Sequence, residues 1–238
     1  MLNRRELLAR MAGGALGAAT LSFVPAGAVL AEIRREAKPH LAMLIDLRRC
    51  NGCRACVVSC GHENGNLPDQ HRTSVFQAAA EVDGKELVLN LPLMCNHCDL
   101  PVCTMNCPTK ATFKRKEDGI VVIDSTKCIA CGQCIKDCPY AAVRFFNRVT
   151  KKVDKCNFCI HRLAAGLRPA CVDTCTGAAR VFGDINDPES EISRRMKGED
   201  VLVLEAAVNT KPNVFYIGLT PEQAKQRYSL IFKPNWQH

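Results

Sequence analysis

The clearest apolar run in the chain, His40 to Leu47 (His-Leu-Ala-Met-Leu-Ile-Asp-Leu), predicts a buried strand that delivers the backbone to Cys50. Two further pairs of short apolar runs read as hairpins. One lies in Thr112 to Asp124, folded about Glu117-Asp118-Gly119 ahead of Cys128; the other lies in Val143 to Val153, folded about Asn147 to Thr150 ahead of Cys156. Asp187-Pro188-Glu189 predicts a helix start, with Asp187 as cap and Pro188 at the first helical position, and Thr220-Pro221-Glu222-Gln223 has the form of a capping box. Neither helix contains a cysteine, so both are expected to pack outside the region the strands lead into. Before residue 40 the pattern changes: Met11 to Ala31 carries no charge, is rich in Gly and Ala, and is interrupted by Pro25.

At 238 residues, 47% hydrophobic and 24% charged, the chain suits one or two compact domains and is neither a disordered tail nor a multi-span membrane protein. Aromatics are only 5%, so something other than large rings must fill the centre. The sixteen cysteines supply the candidate. They fall into four tetrads: Cys50, Cys53, Cys56, Cys60; Cys95, Cys98, Cys103, Cys107; Cys128, Cys131, Cys134, Cys138; and Cys156, Cys159, Cys171, Cys175. An even count permits disulfides, but runs this tight would strain them. Zinc also uses C-x2-C pairs, normally two of them separated by a long loop. The first and third tetrads instead read C-x2-C-x2-C-x3-C, the run of bacterial iron–sulfur ferredoxins, in which the fourth cysteine serves a second cube. Pro108 after Cys107 and Pro139 after Cys138 complete that pattern.

Tetrads two and three then read as one two-cluster module, and tetrads one and four as a second module split by insertion of the first. The expected fold is α+β: two ferredoxin-like two-cluster modules, one inserted in the other, built of short strands and cysteine loops with peripheral helices. The outer module covers residues 40–80 and 140–219, the inserted one 81–139, and a C-terminal helix and tail 220–238. Pseudo-symmetry predicts the four cubes as Cys50, Cys53, Cys56 with Cys175; Cys156, Cys159, Cys171 with Cys60; Cys95, Cys98, Cys103 with Cys138; and Cys128, Cys131, Cys134 with Cys107. Iron of four [4Fe–4S] clusters is thus the expected cofactor of all sixteen cysteines.

Arg4-Arg5 ahead of the weakly apolar 11–31 stretch reads as a twin-arginine signal over residues 1–31, with Val29-Leu30-Ala31 as a small-residue cleavage site. A single membrane anchor is the alternative reading of the same stretch. Export in the folded state suits a chain whose folding depends on bound metal, and the expected location is the periplasm, at the membrane face.

Four tetrads in this order, with Cys-Asn-His-Cys-Asp-Leu-Pro-Val-Cys at 95–103, Cys-Asn-Phe-Cys-Ile-His-Arg-Leu at 156–163 and Pro-Ala-Cys-Val-Asp-Thr-Cys at 169–175, resemble the four-cluster electron-transfer B subunits of molybdopterin oxidoreductases. The resemblance runs from about His40 to Leu219. Within the family, residues 42–50, 182–188 and 212–219 are most similar to the tetrathionate reductase branch, with polysulfide, thiosulfate and nitrite reductase partner proteins close behind. Cys60 and Cys175 depart from the ferredoxin pattern, being followed by Gly61 and Thr176 where a proline is usual. The resemblance implies a non-catalytic subunit carrying electrons between a membrane quinol-oxidising subunit and a molybdopterin catalytic subunit that reduces tetrathionate or a related sulfur compound. It also implies that the Cys50-led cube lies nearest the catalytic subunit and the Cys128-led cube nearest the membrane. A free-standing polyferredoxin carrier and a zinc-stabilised binding module are the alternatives. No nucleophile, acid–base pair or phosphate loop competes with this reading.

His97 and His161 lie beside complete tetrads and read as non-ligands; Asp99 and Asp173 read as loop hydrogen-bonders, and Lys110, Lys114, Arg115 and Lys116 as a solvated hairpin face. Phe145, Phe146, Phe215 and Tyr216 read as packing residues. The formal charge of +8 first suggests nucleic acid. Four oxidised cubes with thiolate ligands contribute about −8, and residues 1–31 hold a net two positive charges in Arg4, Arg5, Arg10 and Glu6. The basic excess is therefore counter-charge for the clusters, assigned to Arg48, Arg49, Arg54, Lys127, Lys136, Lys155 and Arg162, and no nucleic-acid partner is expected.

Overall fold

The computed structural model describes residues 38–82, 85–140 and 143–225. The expected signal segment and the tail beyond 225 lie outside the described residues. Ten strands are described: β1 (Leu41–Asp46), β2 (Thr73–Val82), β3 (Lys85–Met94), β4 (Thr112–Lys114), β5 (Val121–Ile123), β6 (Arg144–Asn147), β7 (Lys152–Lys155), β8 (Arg180–Asp184), β9 (Val201–Leu202) and β10 (Val214–Ile217). The helices are α1 (Ala55–Asn64), α2 (Val102–Met105), α3 (Gln133–Lys136), α4 (Ile160–Ala164), α5 (Ala170–Asp173), α6 (Glu191–Met196) and α7 (Pro221–Lys225). The mixed α+β class and the short strands agree with expectation.

A four-stranded sheet in the order β8-β1-β10-β9 forms the base. The apolar run that opens the described residues forms a central strand of this sheet, parallel to β10 and antiparallel to β8. Residue alternation divides its two faces. Ala42 and Leu44 pack with Val181, Ile192 and Ile217 under α6, whereas Met43 and Ile45 join Phe158, Phe182, Tyr216 and several cysteines in the main core. Both faces are buried, which is why this strand reads as a continuous apolar run and not as an alternating one.

The two expected hairpins form as β4–β5 and β6–β7. A third, β2–β3, pairs ten residues from Thr73↔Met94 to Val82↔Lys85 and spans the expected module boundary at 80/81. The capping box also forms: the Thr220 N–H donates to Gln223 Oε1 (2.9 Å) and the Gln223 N–H to Thr220 Oγ1 (3.2 Å). The other helix starts later than expected. Asp187 accepts the Glu189 N–H in a local turn, and Ser190 takes the cap by accepting from the Ser193 N–H at 3.2 Å. A short polar side chain followed by Pro favours a turn as readily as a cap, and the turn prevails here.

Candidate metal centres

The third cysteine of every tetrad lies on a short helix: Cys56 on α1, Cys103 on α2, Cys134 on α3 and Cys171 on α5. The fourth follows four residues later in all cases, a step of about 6 Å along a helix. Pro108 and Pro139 stop α2 and α3 at that point, since the residue before a proline avoids helical geometry. Gly61 imposes no such stop, and α1 continues through Cys60 to Asn64.

The first two cysteines of each tetrad are held by a left-handed residue at one shared position. The residue just before the second cysteine has positive φ in all four tetrads: Gly52 (74°), His97 (46°), Ala130 (59°) and Phe158 (54°). Three of these are not glycine, so local strain is accepted at each. Such a turn aims successive N–H groups into one concavity, a backbone site for negative charge. The Phe158 N–H points at Cys156 Sγ (3.4 Å), and His97 and Gly52 donate likewise to Cys95 and Cys50.

The sixteen cysteines are all free thiols. Cys50, Cys53, Cys56 and Cys175 line one cavity of about 330 Å³. Cys95, Cys98, Cys103 and Cys138 line another of about 330 Å³, and Cys107, Cys128, Cys131 and Cys134 a third of about 320 Å³. Cys60 and Cys171 are electrostatic neighbours of each other and of both Cys156 and Cys159. These groupings coincide with the four sets expected from pseudo-symmetry. Two contacts repeat that symmetry: Thr174 donates to Ser59 (2.7 Å) and Asn106 to Asp137 (2.8 Å), each residue immediately preceding a fourth cysteine. Among the described residues no three Cys, His, Asp or Glu side chains gather closely enough to hold a single metal ion. Four sets of four thiols, two of them from C-x2-C-x2-C-x3-C runs, fit clusters better than single zinc ions.

Burial pushes Cys60 and Cys138 up to about 12 and Cys98 and Cys171 up to about 11. Burial also acts to raise Cys95, but Lys155 and Arg144 outweigh it and hold that thiol below its ordinary value. Loading therefore releases protons from the thiols that burial raises. The donor set fits an anionic occupant: Arg144 donates to Cys103 Sγ at 2.8 Å, while its Nε and Nη1, both buried, have no protein partner.

The sets adjoin in a row. Cys56 of the first neighbours Cys171 of the second, Cys156 of the second neighbours Cys95 of the third, and Cys103 of the third neighbours Cys134 of the fourth. Cys53 and Cys131, in the two end sets, are exposed, whereas Cys60, Cys156, Cys159 and Cys171 are all buried.

The bland readings of the neighbouring residues mostly hold. His97 is buried, stacked on Phe158 at 3.7 Å, with Nδ1 accepting the Val121 N–H; His161 meets Glu63 at 2.8 Å. Asp99 accepts from Lys114 (3.1 Å) and Asn213 (2.9 Å), and Asp173 from Arg162 and Arg168. Lys114 is no solvated bystander: its ammonium also reaches the carbonyls of His97, Cys98 and Gly119 and ties the β4–β5 hairpin to the second tetrad. The counter-charge assignment needs correction too. Arg48 is half exposed and paired with Asp46 and Glu199, and Arg162 is paired with Glu63 and Asp173. Of the residues assigned, Lys155 is buried, and among the described residues the other buried Lys and Arg side chains are Arg144 and Arg180, which sequence proximity to a cysteine did not select.

A family model described as a 4Fe-4S dicluster domain matches residues 87–185. The chain is 45% identical over 223 residues to the tetrathionate reductase B subunit of Salmonella typhimurium, covering 91% of this chain and 88% of that one. It is 40% identical over 177 residues to the tetrathionate reductase B subunit of Archaeoglobus fulgidus (74% and 81% covered) and 38% over 183 residues to the polysulfide reductase B subunit of Wolinella succinogenes (74% and 92% covered). With these likenesses and its cysteine-lined cavities, the protein belongs to the family of ferredoxin-type iron–sulfur B subunits of molybdopterin oxidoreductases, electron-transfer subunits of reductase complexes.

Proposed function

We propose that this chain passes electrons through four [4Fe–4S] clusters between a membrane quinol-oxidising subunit and a molybdopterin catalytic subunit that reduces tetrathionate or a related sulfur compound. The observation that carries the reading is the row of four cysteine sets, with every thiol of the two inner sets buried except the half-buried Cys138 and with an exposed thiol at each end. When bound, each cubane supplies a one-electron couple tuned by its hydrogen bonds, charge and exposure. The chain's own part is to space the sites and exclude water from the inner two. It also leaves a surface for a partner at each end: Val58 is 72% exposed on α1 near Cys53, and Ile129 and Met105 are each 61% exposed near Cys131 and Cys107. The paired contacts Ser59–Thr174 and Asn106–Asp137 support two nested ferredoxin-like modules, tetrads one and four enclosing two and three.

Arg4-Arg5 and the uncharged 11–31 stretch support export to the periplasm in the folded state. Among the described residues no helix is long and apolar enough to cross a membrane. Replacing Arg4 and Arg5 together with lysine should leave loaded protein in the cytoplasm; unchanged periplasmic recovery would refute that route.

Deleting the chain while keeping its partners should abolish quinol-driven tetrathionate reduction and spare reduction driven by an artificial donor. Retained quinol-driven activity would refute the relay. Cys131→Ser should remove or convert one cluster, read as changed iron content and EPR signal; an unaltered spectrum would contradict the assignment.

A further inference from the structure

Three basic side chains are buried to an extent that such residues reach only with a partner. Arg144 and Arg180 are 3% exposed and Lys155 is 2%. Arg144 and Lys155 also stand directly opposite each other across β6–β7, an arrangement in which like charges repel. Arg144 retains two buried donor atoms with no protein partner. Buried cations this close, one of them under-bonded, imply negative charge packed against them.

Each of the three borders two cysteine sets. Arg180, which donates to Thr73 Oγ1 at 2.9 Å, lines the cavity of the Cys50 set and faces Cys171 of the Cys156-led set. Lys155 faces Cys95 and donates to the carbonyl of Val121, a residue of the Cys95 cavity wall, and also to the carbonyl of Cys156 (2.8 Å), of the neighbouring set. Arg144 lines the Cys95 cavity, donates to Cys103 Sγ at 2.8 Å, and faces Cys134 of the Cys128 set. The row of four sets thus has three junctions with one buried basic residue at each. Alternation along β8 explains how one is placed: Arg180 and Phe182 share the inner face, with Val181 on the other.

We infer that Arg180, Lys155 and Arg144 are positioning residues for electron transfer, each holding up the reduction potentials of both clusters that flank it. The inference rests on the four-cluster reading above. An electron on either flanking cluster is stabilised by the same fixed cation. Passing it between them therefore changes that stabilisation little, so the cation raises both potentials without adding to the difference between them. Arginine retains its charge at any physiological pH, so the effect at the two outer junctions is permanent.

The test is a potentiometric EPR titration of the cluster-loaded full chain and of Arg180→Gln, Lys155→Gln and Arg144→Gln. Iron and sulfide analysis of the unaltered chain checks the four-cluster reading independently. Each variant should disfavour reduction of its own two flanking clusters by roughly tenfold or more and leave the other two in place. The affected pairs are the Cys50- and Cys156-led clusters for Arg180, the Cys156- and Cys95-led for Lys155, and the Cys95- and Cys128-led for Arg144. Arg144→Lys should restore both potentials. Shifts confined to one cluster, spread over all four, or absent would overturn the inference. If Arg144→Gln sheds iron, the loss should be confined to about half of the total and be recovered in Arg144→Lys; complete loss without that rescue would also overturn it.

Discussion

Gly177 lies so close to the carbonyl oxygen of Arg49 that a Cβ there would overlap it, and Arg49 Nε donates back to the Gly177 carbonyl at 2.8 Å. This reciprocal contact clamps the loop of Cys50 to the loop of Cys175, two cysteines of one set that lie far apart in sequence. Gly177→Ala must push the two loops apart, at a cost of about 1–3 kcal/mol as in other overpacked sites. Iron analysis should show loss of one cluster's complement from four; a full complement would mean that the clamp is dispensable. At this scale the sequence reading names all sixteen thiols, because spacing encodes which residues share a loop. Arg144, Arg180 and the Tyr140–Thr210 hydrogen bond (2.6 Å) beside Cys98 escape it. They reach the cavities across strand pairing, and pairing register is not written in local spacing.

Among the elements, α6 separates stability from cofactor binding. It packs through Ile192 on the sheet face opposite the cysteines, and Ser190 caps its first turn. Ser190→Ala should lower stability by about 1 kcal/mol, seen as a lower denaturant midpoint with unchanged iron content; lost iron would show that the sheet face is coupled to the cavities. The same contrast explains what is legible here. β1, β4–β5 and β6–β7 follow from apolar runs bounded by turn residues, and α7 from a reciprocal cap. The β2–β3 ribbon is missing from the sequence reading, although Asp83-Gly84 between two alternating runs is a hairpin signal. An alanine run at 78–80 obscures it, since alanine has little strand preference.

For the molecule as a whole, charge and folding meet in the cavities. The formal charge of +8 counts every thiol as neutral, whereas four loaded cubes would offset it almost completely. The loaded full-length chain should focus well below the cluster-free chain on an isoelectric gel; coincident bands would contradict the charge balance. Removing the clusters also leaves Arg144, Lys155 and Arg180 buried without counter-charge, so the cluster-free chain should unfold at a lower temperature than the loaded one. The central claim is that the sixteen cysteines hold four [4Fe–4S] clusters, and it is met most directly by quantifying iron and acid-labile sulfide per chain in anaerobically isolated protein. The account predicts about sixteen of each; zinc without sulfide, or iron sufficient for only two cubes, would contradict it.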